Sequence, residues 1–187
     1  DTMLGGNVSL SGAFDAQSGW YATASRGYKA GGFNIGQLVP DERREFEPEY
    51  LWNVEAGVRH ASEDGALSAE VAVFHMWRES QQVATSFQVD PGDPLSYVFY
   101  TDNAARGRNA GLEGSIAWRI RPSLTLGGTL GLLHSEYVGY RQGDRDLDGR
   151  EQAHAPGYQY SLSAEWNAGR GWMARADLSG SDAFYFD

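Results

Sequence analysis

No cysteine occurs among the 187 residues, which excludes disulfide scaffolds, cysteine nucleophiles and thiolate metal sites, and leaves the redox compartment unmarked. Also missing is any apolar run of about 18 residues, so no transmembrane helix is encoded. A membrane-spanning strand remains open, since it needs only about 9–11 tilted residues with one apolar face. Positive charge is scarce: 15 Lys and Arg against 25 Asp and Glu give a formal charge of −10. Nonspecific nucleic-acid binding, which draws on basic side chains, is therefore not expected. The start, Asp1-Thr2-Met3-Leu4, has neither the charged nor the apolar region of a signal peptide, so the expectation is a mature chain or a segment of a longer one.

What is present favours β-structure. Twenty-four glycines weaken helices, while 13% aromatics suit pleated, half-buried surfaces. With 41% hydrophobic residues the chain buries enough apolar surface to fold, and its length makes one structural unit the default. Period-two alternation recurs along it. Trp52, Val54, Ala56 and Val58 alternate with Asn53, Glu55, Gly57 and Arg59, and Leu124, Leu126, Leu130 and Leu132 alternate with Thr125, Gly127, Thr129 and Gly131. Tyr160, Leu162, Ala164 and Trp166 alternate with Ser161, Ser163 and Glu165 in the same way. Such alternation places successive side chains on opposite faces of a sheet.

The pattern predicts an all-β antiparallel meander of about eight strands, at about 5–14, 19–28, 49–61, 66–85, 97–119, 123–137, 158–168 and 171–180. Short turns at Asp15–Gly19, Ser62–Gly65, Arg121–Ser123 and Ala168–Gly171 alternate with long polar connections near 29–48, 86–97 and 138–157. Long strands joined alternately by tight turns and long loops match a transmembrane barrel better than a soluble sandwich. Trp20, Trp118, Trp166 and Trp172 all sit beside short turns, as an interfacial aromatic girdle requires. The rival reading has them closing the end of a sandwich core.

At 25–34 stands Ser-Arg-Gly-Tyr-Lys-Ala-Gly-Gly-Phe-Asn, physically a strand ending in a glycine pair, Gly31 and Gly32, that can reach positive φ and turn into a loop. As a string it resembles a segment of TonB-dependent outer-membrane receptors. Phe46-Glu47-Pro48-Glu49, Asn109-Ala110-Gly111-Leu112-Glu113-Gly114 and Ala155-Pro156 follow in that family's order. The resemblance runs from about residue 19 to 187. It implies a 22-stranded barrel with a wet lumen that holds a plug domain, which in turn contacts TonB. Eight strands and no plug are legible, and the chain stops at Phe184-Tyr185-Phe186-Asp187, in what reads as the interior of a hairpin, so residues 1–187 are expected to form part of such a barrel. The implied setting is the outer membrane, with its lipid, the plug and TonB as partners. The implied activity is import of a scarce ligand, most often a ferric siderophore.

The residues expected to face lumen or ligand are Arg26, Lys29, Asn53, Glu55, Arg59, Glu113, Arg119, Glu165 and Arg175, with Glu70 beside them. Arg43, Arg44, Arg141, Arg145 and Arg150 fall in long connections and are candidates for extracellular ligand contact. Asp144, Asp146 and Asp148 have the spacing of a calcium loop, but Ala155 stands where the closing glutamate belongs. His60, His75, His134 and His154 lack zinc spacing, so neither metal nor other cofactor is expected. No nucleophile elbow, phosphate loop or dinucleotide fingerprint appears, and Glu42, Glu45, Glu47 and Glu49 read as solvated acids. Two further readings stay open: a small closed eight-stranded membrane anchor or adhesin, and a soluble carbohydrate-binding β-domain.

Overall fold

The computed structural model describes residues 3–186 apart from Gly143 and Asp144, with Ala104, Ala105 and Gln142 described by backbone alone. Eight strands form one sheet: β1 (Gly6–Ala13), β2 (Ser18–Lys29), β3 (Glu49–Ala61), β4 (Leu67–Gln88), β5 (Tyr97–Arg121), β6 (Leu124–Val138), β7 (Tyr158–Gly169) and β8 (Trp172–Ser181). Each pairs antiparallel with its neighbour in sequence, so the sheet is a meander. Among the described residues β1 and β8 form no ladder with each other, and the sheet is open rather than the closed small barrel.

Ladder register carries the sequence alternation across all eight strands. Val8, Ala24, Val54, His75, Ala110 and His134 lie on one rung, and Leu10, Ala22, Ala56, Val73, Leu112, Leu132 and Tyr158 on the next. Partners on a rung share a face. These rungs therefore build a continuous apolar face, and Ser9, Thr23, Glu55, Phe74, Gly111 and Leu133 begin the intervening, opposite face. The apolar face has nothing packed on it: Val54, Val73, Leu132 and Leu162 are all more than 40% exposed. The only buried hydrophobics among the described residues are Val39, Ala72 and Tyr140. A sandwich would cover this face with a second sheet. None is present among the described residues, and an uncovered apolar face of this extent matches the lipid-facing wall expected of a membrane barrel.

The dimensions agree. On the apolar face, ten residues separate Leu67, paired with Trp118 near a short turn, from Trp77 at the far end of β4. Ten residues span roughly 33 Å of strand, about 25 Å of height at a tilt near 40°, which is the thickness of the apolar band of a membrane barrel. Trp52 and Trp77 stack at 6.3 Å at that upper level and form a second aromatic belt.

Strands β4 and β5, 22 and 25 residues long, end within a few residues of the expected bounds and rise at their Gln88 and Tyr97 ends well beyond a single crossing. Three details differ from the expected outline. Bulges carry the register across Arg78–Gln81, where Ser80 adopts φ 51°. The long connections are partly ordered: Gly32–Phe33 pairs with Glu45–Phe46 around a 3₁₀ turn at Asp41–Arg43, and Arg141–Gln142 pairs with Arg145–Asp146. Finally, neither Gly31 nor Gly32 has positive φ. A Cβ on Gly31 would lie 2.5 Å from the Phe46 carbonyl oxygen, and one on Gly32 would lie 2.8 Å from the Phe46 ring, so the pair serves close approach of the two ends of the loop.

The short turns are closed by carboxylates. Asp15 accepts from the Gln17 and Ser18 amides at 2.8 and 2.6 Å, and Asp64 from the Ser62 hydroxyl and the Ala66 amide at 2.7 and 3.0 Å. The Gln17 amide holds the Asp15 carboxyl below its ordinary range, and the Ala66 amide does the same for Asp64.

Candidate functional site

The polar face holds an open trough of about 900 Å³ whose wall includes Tyr21, Glu55, Glu70, Glu113, Thr129 and Ser161. Strand alternation puts each of these on the same side. Tyr21 Oη donates to Glu55 Oε1 at 2.8 Å, Glu70 shares rungs with Arg59 and Ser115, and Glu113 sits between Ala72 and Gly131. Asn53 lies one step further towards the long loops on the same face, and its Oδ1 is buried with no hydrogen-bond partner. From β6 to β7 the wall changes character to small groups: Gly127, Thr129 and Gly131 are paired with Ser163, Ser161 and Gln159 respectively. The trough is thus rich in acceptors on one flank and in hydroxyls and bare backbone on the other, a surface suited to a hydrogen-bonding polypeptide or a hydrated solute.

Glu55, Asn53, Arg59 and Glu113 lie on this face by register. Glu165 and Arg175 share a rung on β7 and β8, their charges 3.5 Å apart, while Arg175 forms a two-pronged pair with Asp177 at 2.7 and 2.9 Å. Arg119 stands on the same side near the short-turn end, where it donates to the Asp64 carbonyl at 3.2 Å. Lys29 ends β2 opposite Glu49.

Arg26 requires a correction. It shares its rung with Trp52, on the apolar face with Trp20, Ala22 and Ala24. Its guanidinium lies 4.1 Å over the Tyr50 ring and 5.4 Å over Trp52, and it donates to the Leu4 carbonyl at 2.7 Å. Chemistry suggested the lumen, but residue parity decides the face. The charge on the lipid side is accommodated by aromatic faces and a carbonyl.

The loop arginines do not converge on one point. Arg43 pairs with Asp102 at 2.8 Å, donates to the Tyr100 hydroxyl and lies over the Tyr100 ring, Arg44 pairs with Asp41 at 2.8 Å, and Arg141 with Asp146 at 3.3 Å. Arg145 and Arg150 are exposed. Of the calcium-like acids, Asp144 lies outside the described residues, and Asp148 closes its own loop by accepting from the Gly139 amide at 2.6 Å. No cluster of three metal-ligating side chains occurs among the described residues.

Sequence reasoning passed over the residues that order the long-loop end. Tyr140 is buried against Tyr137, ring centroids 5.0 Å apart, and burial pushes its hydroxyl above the ordinary range. Gln152 is buried, with Nε2 donating to the Glu136 carbonyl at 2.8 Å and to Asn109 Oδ1 at 3.0 Å, folding the last long loop onto the polar face. Polar residues in a polar connection gave no sign of such partners.

The family model described as TonB dependent receptor-like, beta-barrel matches residues 6–187. The chain belongs to the TonB-dependent receptor β-barrel family. Its sheet superposes on the ferric yersiniabactin uptake receptor FyuA from Yersinia pestis with a TM-score of 0.77 at 20% identity, covering 98% of this chain and 26% of that one. The siderophore receptor PiuA from Acinetobacter baumannii gives 0.70 at 16% identity, covering 96% of this chain and 26% of that one. The copper transporter OprC gives 0.70 at 11% identity, with 94% and 26% covered. The chain thus spans about a quarter of the receptors it matches. Family membership places this barrel wall in the bacterial outer membrane, which removes the soluble carbohydrate-binding reading.

Proposed function

We propose that residues 1–187 are one part of the barrel wall of a TonB-dependent receptor that imports a ferric siderophore. The observation that carries this reading is the acceptor-rich polar face, with Glu55, Glu70, Glu113 and the unpartnered Asn53 Oδ1 around a trough of about 900 Å³. A wet lumen wall of this kind matches a donor-bearing plug domain from the same parent chain, through which TonB would act. The long-loop end, with exposed Arg145 and Arg150, is where an anionic chelate would first be met.

A metal-ion cargo of the soft type is less well matched. The chain has no cysteine and three methionines, of which Met76, near the middle of β4, and Met173, at the start of β8, lie on the polar face four strands apart. An iron chelate, recognised by charge and hydrogen bonds, requires no protein thiolate or thioether.

The test is uptake of radiolabelled ferric siderophores by iron-starved cells carrying the full receptor. Uptake that disappears with TonB removed supports the proposal. Uptake of copper alone, or accumulation indifferent to TonB, contradicts it.

A further inference from the structure

The loop between β2 and β3 does not stand free over the mouth; it is fastened to the protruding hairpin of β4 and β5. The last β6 partner on β5 is Arg106, paired with Val138, so residues 97–105 of β5 have an edge that β6 leaves open. On that edge Asn34 imitates a missing strand: its Oδ1 accepts from the Thr101 amide and its Nδ2 donates to the Thr101 carbonyl, both at 2.8 Å. Two positions on, the arrangement is reversed. Asn103 Oδ1 accepts from the Glu47 amide at 2.6 Å, and its Nδ2 donates to the Glu47 carbonyl at 2.9 Å and to the Ser80 carbonyl, freed by the bulge, at 2.8 Å. Between them, Asp102 holds Arg43. Consecutive strand residues point to opposite faces, so Asp102 and Asn103 bring the loop against both faces of the strand while Asn34 closes on its edge. Each asparagine amide supplies the donor and acceptor that a backbone peptide would, which satisfies groups that are costly to leave bare.

We infer that Asn34 and Asn103 are positioning residues that clasp the loop 30–47 to the β4–β5 hairpin, so that the two move as one flap above the bulge at Arg78–Gln81 and present the ligand-facing mouth as a unit. The clasp is a property of the described contacts. Its role in ligand capture rests on the import reading.

Asn34→Ala and Asn103→Ala are made in the full receptor, with Gln37→Ala, an exposed position of the same loop, as control. Hydrogen exchange is followed in peptides covering residues 99–103 and 45–49, alongside the affinity for a ferric siderophore that the parent receptor binds. Loss of two amide bonds at one asparagine is expected to speed exchange by roughly tenfold in both peptides, whichever asparagine is removed, and to weaken ligand affinity by a similar factor. The control leaves both unchanged, and heat stability of the barrel is unaltered in all three.

Exchange that is unchanged, or that after Asn34→Ala is faster in the 99–103 peptide alone, overturns the single-flap clasp. Faster exchange in both peptides with unaltered affinity overturns the positioning role. If the parent receptor binds no ferric siderophore while exchange behaves as stated, the clasp stands and the ligand reading is what fails.

Discussion

Tyr21 Oη donates to Glu55 Oε1 at 2.8 Å although the two are diagonal on the ladder, because Tyr21 is paired with Gly57 and its ring lies across the bare glycine. A Cβ on Gly57 would come within 2.5 Å of that ring. Gly57→Ala therefore displaces Tyr21, frees the Glu55 carboxylate and crowds the polar face, at a cost of about 1–3 kcal/mol typical of overpacking. The check is thermal unfolding of the full receptor in detergent. Tyr21→Phe, which loses the hydroxyl but keeps the ring, should cost less than Gly57→Ala.

Arg26 gives a second expectation. Held over Tyr50 and Trp52 on the lipid side, it contributes cation–aromatic contact of about 0.5–2 kcal/mol. Arg26→Leu suits lipid and should leave assembly and uptake near the parent level, whereas Arg26→Glu places an anion among aromatic faces and should lower the yield of folded receptor in the membrane. Equal yields for the two variants would contradict the assigned face.

The short turns make their end of the barrel wall sensitive to acid. The folded Asp15 and Asp64 carboxyls titrate below their ordinary value of 3.8, so their contribution is fully present above that value and is lost as pH falls through the lowered one. Stability of the parent should decline below about pH 4 more steeply than that of Asp64→Ala, which starts lower and has less to lose. Unfolding midpoints measured from pH 2 to 6 check this; parallel curves would contradict it.

How much of this was legible in advance depended on whether the physics was local. Alternation such as Val54-Glu55-Ala56-Gly57-Val58 is a property of neighbouring residues, and it located the strands, the faces and the lipid-facing wall. Register breaks are not local. Ser80 at φ 51° shifts the pairing of β4 with β5, and nothing around it in the sequence announces a bulge, so the lengths of β4 and β5 were legible while the break in their register was not. The contacts that order the loops join residues far apart, such as Asn34 with Thr101, and a polar loop side chain with a distant partner reads like one in water. Arg26 differs in another way: its charge points to the lumen, whereas its parity, counted from Trp20, puts it on the apolar face.

The central claim is that this sheet is a membrane wall with one lipid face and one aqueous face, and single cysteines at positions 54, 55, 58 and 59, introduced into a receptor free of other cysteines, test it most directly, residues 1–187 having none. In outer membranes bearing the full receptor, cysteines replacing Glu55 and Arg59 should react with a small water-soluble thiol reagent, while those replacing Val54 and Val58 should resist it, and spin labels attached there in detergent should, after reconstitution, be relaxed by oxygen dissolved in the lipid. Reaction at all four positions, or at 54 and 58 in place of 55 and 59, would contradict the account.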